Sequence, residues 1–186
     1  TKFVPHVKFA ANKFSLAGEA GEANNWKEFG IWMNERLLSG KDDLTEATKT
    51  EVKQLVKNVE DPIERAELVY DFMQDRTRYI SVQIGIGGWK PMNASEVERL
   101  KYGDCKALTN YTKALLKAAD VPSYYTILYA DEKRNIDRDL ASIQGNHAIL
   151  MVPSKKDTVW LECTNQKAPF GYIGSFTDDR DVLIVT

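Results

Sequence analysis

Cysteine and histidine are scarce in this chain: its 186 residues carry two of each. Two thiols do not make a disulfide framework, and nothing groups the histidines with other ligands at metal-site spacing. Neither a stapled fold nor a metal or cofactor site is therefore expected. Excess charge is lacking too. Lys and Arg number 25 against 27 Asp and Glu, a formal net charge of −2 with a pI near 5.8, which excludes the basic footprint of a nucleic-acid or anionic-membrane binder. No apolar run reaches the length of a membrane-spanning helix. The opening Thr1-Lys2-Phe3-Val4-Pro5-His6 has neither the basic nor the apolar stretch of a secretion signal. Lacking an initiating Met, the chain is expected to be a piece of a larger multidomain protein. What it does have is 43% hydrophobic residues, enough for one globular domain, alone or with an appended arm.

Residues 1–25 are polar and weakly patterned, loosest over Gly18–Asn25, and read as a lead-in arm or interdomain linker that leaves His6 on the surface. Residues 26–186 read as the folded domain. From Trp26 the spacing turns helical, with Trp26, Phe29, Trp32, Met33 and Leu37 near one face. A membrane-surface helix would carry a basic stripe opposite; here the polar face carries Lys27, Glu28, Asn34 and Glu35 instead, so the aromatics are expected to form a buried seam. A second helix follows Thr45 with Val52, Leu55, Val56 and Val59 as its core stripe. Asp61-Pro62 then caps a third, which buries Ala66, Val69, Tyr70 and Met73 and ends near Arg76. Arg78–Ile84 is expected to be extended and Gly85–Gly88 a loop. That loop lacks the Gly-Lys-Ser/Thr ending of a phosphate cradle. Asn93 or Ser95 caps a short helix through Leu100.

Tyr102-Gly103-Asp104-Cys105 then runs into a helical pattern whose buried stripe is Leu108, Thr112, Leu115, Leu116 and Ala119. This places a thiol in the first turn of a helix, where partial positive charge and unpaired N–H groups favour thiolate. Asp104 is either the N-cap or a substrate contact. Asp120 and Pro122 end the helix. Three strands follow, over Tyr124–Ala130, Asn146–Val152 and Thr158–Cys163, with a polar connection at 131–145 and a last strand near Val182–Val185. Helices first and strands later predict an α+β domain whose antiparallel sheet packs on the Cys105 helix.

His147 and Glu162 lie in neighbouring strands of that sheet. A turn about Ser154–Lys156 puts His147 opposite a residue between 162 and 164. Either even-numbered partner sets Glu162 on the face of His147, whereas 163 does not. Cys163 then points away, as a small buried hydrophobe. Together Cys105, His147 and Glu162 have the chemistry of nucleophile, base and orienting acid. The Cys105 backbone N–H supplies one oxyanion donor. Gln83 and Trp89, in the segment feeding the Cys105 helix, are candidates for the second or for substrate contact. Trp89 equally fits a cap on the core.

Three signatures, Gly103-Asp104-Cys105 opening a helix, Asn146-His147-Ala148 in a strand and Trp160-Leu161-Glu162-Cys163-Thr164 in the next, resemble the transglutaminase-like superfamily with its papain-related Cys–His–Asp core. The resemblance extends to Thr77-Arg78-Tyr79-Ile80, Gly85-Ile86-Gly87-Gly88 and Pro169-Phe170-Gly171-Tyr172. It spans about Trp26 to Val185 and is nearest to such domains in large exported bacterial proteins. It implies an α+β fold with Cys105 as nucleophile, His147 as base and Glu162 in the aspartate's place, one methylene longer. A peptide or protein substrate and a periplasmic or extracellular location come with it. Nothing maps onto the calcium sites of animal transglutaminases, and Asp178–Asp181 reads as a solvated turn.

The expected function is thus a cysteine hydrolase, a protease or amidase working through a Cys105 thioester. An amine acceptor in place of water makes a cross-linker. The competing readings are a catalytically silent peptide- or glycan-binding module of the same fold, and an acyltransferase loaded from coenzyme A.

Overall fold

The structure, a computed structural model, describes residues 7–82, 84–155 and 157–186. His6, expected on the surface, and Lys156, expected in a hairpin turn, lie outside the described residues. Regular structure begins earlier than the helical pattern suggested. Strands β1 (Lys13–Leu16) and β2 (Glu19–Glu22) form an antiparallel hairpin within the segment read as unpatterned. Trp32 Nε1 donates to the Ala20 carbonyl at 2.9 Å and the Phe14 ring meets Trp32 edge-on at 4.9 Å, so the hairpin closes over the aromatic seam.

Helix α1 (Trp26–Met33) is N-capped by Asn25 and buries Phe29, Trp32 and Met33. It continues as a π-helical turn, Asn34–Leu38, closed by the Ser39 N–H on the Asn34 carbonyl at 2.7 Å. Helix α2 (Glu46–Leu55) starts at Thr45 and buries Val52 and Val56. Leu55, expected in that stripe, is exposed: it precedes Val56 by one residue, about 100° around the helix. Helix α3 (Pro62–Arg76) is capped by Asp61 on the N–H groups of Ile63 and Glu64, and it buries the four residues expected of it.

Among the described residues of the extended segment only Arg78–Tyr79 is a strand, β3, parallel to β4 (Tyr102–Gly103); Gly85–Gly88 is a 3-10 turn rather than an open loop. Helix α4 (Ala94–Leu100) follows Asn93, whose N–H donates to Glu96 Oε2 at 3.2 Å. It ends at Lys101 in a left-handed conformation, and β4 leads into α5 (Cys105–Ala118). Helix α5 is buried on nearly every side, packed by α2, α3 and α4 on one flank and by the sheet on the other.

The main sheet is β5 (Tyr124–Leu128), β6 (His147–Pro153), β7 (Thr158–Leu161) and β8 (Leu183–Val185), antiparallel in the order β7-β6-β5-β8. Strand β7 stops at Leu161, short of the expected Cys163. Glu162 begins the turn that follows. A short helix, α6 (Gly174–Thr177), which the sequence pattern does not announce, precedes β8. No helix among the described residues is long and apolar enough to cross a membrane.

Candidate active site

Cys105 is the first residue of α5, and Asp104 sets it there. The Asp104 carboxylate accepts the Ala107 N–H at 3.0 Å through Oδ1 and pairs with the Lys106 ammonium through Oδ2. Gly103 makes the tight approach possible: a Cβ there would lie 2.8 Å from Ala107 Cβ. Behind the tip, Thr109 Oγ1 donates to the Ala148 carbonyl at 3.1 Å, tying α5 to β6 one residue past His147. Cys105 is 6% exposed.

His147 opens β6. Gly145, at φ +89°, has no room for a side chain, since a Cβ would sit 2.5 Å from Ile127 Cγ2. Asn146 extends the ladder with its side chain, accepting the Ala130 N–H at 2.7 Å. The register pairs Leu150 with Leu161 and Met151 with Trp160. Carried past the end of β7, that pairing sets residue 164 opposite His147, one of the two registers that place Glu162 on its face. The contact follows: His147 Nε2 lies 2.9 Å from Glu162 Oε2. Nδ1 is then the ring nitrogen left for sulfur, and Cys105 lines the same cavity as His147.

Thr164 answers the question raised by the longer acid. Its N–H, at 3.0 Å, and its hydroxyl, at 2.6 Å, both donate to Glu162 Oε1. The buried Tyr70 hydroxyl donates to the Glu162 carbonyl at 2.7 Å, pinning the backbone from α3. The extra methylene is absorbed by the turn. Both carboxylate oxygens are engaged and the side chain is 6% exposed.

Burial opposes an imidazolium at His147, but hydrogen bonds and charge from Cys105 and Glu162 outweigh it and push the ring up to about 9. Burial likewise opposes ionised Glu162, yet His147, followed by the Thr164 hydroxyl and N–H, holds the carboxyl below its usual range. Cys163 is a different thiol. It is fully buried in the core cluster, and burial pushes it up to about 12. The Phe176 ring, half-exposed, meets the imidazole edge-on at 5.2 Å.

A cavity of about 350 Å³ opens beside this group, lined by Cys105, His147, Lys106, Trp89, Tyr125 and Gly145 among others. Trp89 therefore lies on the cleft; Gln83 is outside the described residues. A larger hollow of about 720 Å³ along the second half of α5, lined by Lys113 and Asp120, holds neither thiol nor imidazole. The described residues hold no cluster of His, Cys, Asp and Glu arranged to bind a metal. Sequence reasoning missed Thr164, Tyr70, Phe176 and Lys106 as parts of the site. A hydroxyl two residues after a carboxylate at a strand end was a readable signal for Thr164. Tyr70, 92 residues from Glu162, offered none.

The model of the family described as the transglutaminase-like superfamily matches residues 49–166, which include Cys105, His147 and Glu162. No curated protein matches the chain. The crystal structure of a "putative protease" from Parabacteroides distasonis superposes with a TM-score of 0.59 at 18% identity, over 80% of this chain and 28% of that one. That of a "putative cysteine protease" from Cytophaga hutchinsonii gives 0.47 at 14% identity, over 72% of this chain and 48% of that one. The first shares the fold. This chain spans less than half the length of either.

Proposed function

The chain belongs to the transglutaminase-like superfamily, and on that premise we propose that it is a cysteine hydrolase, a protease or amidase in which Cys105, His147 and Glu162 form the catalytic triad. Residues 26–186 are its catalytic unit and residues 1–25 a lead-in arm. One observation carries the reading: a single imidazole bonds a buried carboxylate through Nε2 and shares the wall of one cavity with the thiol of a helix tip.

In this reading the Cys105 sulfur attacks an amide carbonyl of a peptide or protein, forming an S–C bond and a tetrahedral oxyanion. The Cys105 N–H, in the first turn of α5 where backbone donors lack helical partners, receives that oxyanion. Trp89 is the candidate for a second donor. Imidazolium His147 passes its proton to the leaving nitrogen as the C–N bond breaks. Water, giving up a proton to His147, then attacks the thioester; the S–C bond breaks, releasing a carboxylic acid and free Cys105. Glu162, clamped by Thr164, keeps the ring's orientation and balances its charge throughout. An amine entering in place of water makes a new amide instead, by the same chemistry.

The test is alkylation followed by peptide mapping. Iodoacetamide at about pH 6 labels Cys105 quickly and Cys163 slowly, and His147→Ala slows Cys105. Equal, sluggish labelling of both thiols would favour a silent binding module and end the proposal.

A further inference from the structure

Lys106 occupies a position that stability does not recommend. It is the second residue of α5, at the helix end where a cation is disfavoured, and it is only 6% exposed. Among the described residues its ammonium has a single acceptor, Asp104 Oδ2. Replacing a buried ion pair with apolar side chains is often neutral or stabilising, so the pair alone does not account for a lysine here. Asp104 would still cap the helix through Oδ1 if Lys106 were apolar.

The surroundings supply a reason. Met33, Trp89, Tyr125, Ile127 and Asn146 are among the residues that line the cavity beside Cys105, and its cationic members among the described residues are Lys106 and His147. No Asp or Glu is among the described lining residues. The two carboxylates that balance these cations lie behind them and are occupied, Asp104 by Ala107 and Lys106, Glu162 by His147 and Thr164. A small cavity with cationic residues on its wall and carboxylates withdrawn attracts an anion and concentrates it there.

We infer that Lys106 is a specificity-determining residue, and that the cleft takes substrates bearing a carboxylate next to the bond attacked by Cys105. This deepens the hydrolase reading and rests on it. The carboxylate belongs either to a free chain terminus or to an acidic side chain, and the two are separable by experiment.

The first measurement compares iodoacetate with iodoacetamide, reagents of one size that differ in charge. Each forms an S–C bond at Cys105 and releases iodide. In Lys106→Met the iodoacetate-to-iodoacetamide rate ratio at Cys105 falls about tenfold from that of the native protein, while Lys106→Arg keeps it. Taking the ratio cancels any general change in thiol reactivity. Slow labelling of Cys163 verifies that each variant is folded. The second measurement uses the unaltered protein and so holds even if Lys106→Met unfolds. N-acetylglutamate α-amide (side-chain acid), N-acetylalanine (terminal acid) and neutral N-acetylglutamine amide compete with iodoacetamide for Cys105. At least one of the acids protects at a roughly tenfold lower concentration than the neutral amide, and which one does so names the carboxylate. Fast labelling of Cys105 with equal protection by all three, and a ratio unmoved in a folded Lys106→Met, would overturn this inference and leave the hydrolase reading standing. Slow labelling of Cys105 in the unaltered protein would remove both.

Discussion

Substituting Glu162 by Gln preserves shape and removes charge, and the effect on His147 can be worked through. The ring sits at about 9 against an ordinary 6.5, a gap of roughly 3 kcal/mol in favour of the imidazolium at ~1.4 kcal/mol per tenfold. That gap is what remains after burial has worked against the charge, so the attractions from Cys105 and Glu162 are larger still. In the Glu162→Gln variant the carboxylate's charge is gone while burial is unchanged. The ring should fall most of the way back toward about 6.5, a loss of roughly 2–3 kcal/mol of imidazolium stabilisation. The chain has two histidines, so an NMR titration of the ring carbons resolves both, with a His147→Asn sample assigning the pair. A titration midpoint near 9 in the unaltered protein and between about 6.5 and 7.5 in Glu162→Gln is the expected result. A midpoint that does not move would refute the claim that the carboxylate holds the ring charged.

Shortening the acid tests reach rather than charge. Glu162→Asp withdraws the carboxylate by about 1.5 Å, one C–C bond, from a contact of 2.9 Å, and iodoacetamide labelling of Cys105 should slow about tenfold. Tyr70→Phe removes the buried hydroxyl that holds the Glu162 carbonyl and should cost about 1–3 kcal/mol in urea denaturation, with no loss if that bond is unimportant. The His147–Glu162 pair also sets a pH dependence of stability. His147 binds its proton more tightly when folded, so its contribution is full below 6.5 and lost as pH rises through about 9. Glu162 releases its proton more readily when folded, so its contribution holds above 4.5 and is lost on acidification. Compared with a His147→Leu, Glu162→Leu double variant, the unaltered protein should therefore gain most between those limits, about pH 4.5–6.5, and its advantage should shrink by about pH 10. A difference flat in pH would contradict the coupling.

Local chemistry wrote much of this fold plainly. Asp61-Pro62, Thr45 and Asp104 mark helix starts because short polar side chains satisfy the orphan N–H groups of a first turn. The stripe on α5 was legible because its apolar residues recur at helical spacing. Parity did the same for the site, since alternation along β6 and β7 left only odd and even registers to decide between. Elements that depend on tertiary contact were not legible. The β1–β2 hairpin has short strands, and its closure over Trp32 draws on a residue outside it. The π-helical turn after Met33 and the 3-10 turn at Gly85–Gly88 have no sequence period of their own. Leu55 shows that apolar character places a residue on a helix without saying which flank is covered. In the site, the clamp from Thr164 was within local reach, whereas the Tyr70 anchor and the Phe176 edge contact arise only when distant segments meet.

Covalent chemistry at Cys105 is the central claim, and intact mass spectrometry after brief exposure to p-nitrophenyl acetate tests it most directly. Sulfur displaces p-nitrophenolate and the protein gains one acetyl group. The account predicts a single adduct that maps to Cys105, is absent in Cys105→Ala, forms more slowly in His147→Ala, and decays as water enters. An acetyl group that fails to appear on Cys105, or appears equally on Cys163, would contradict it.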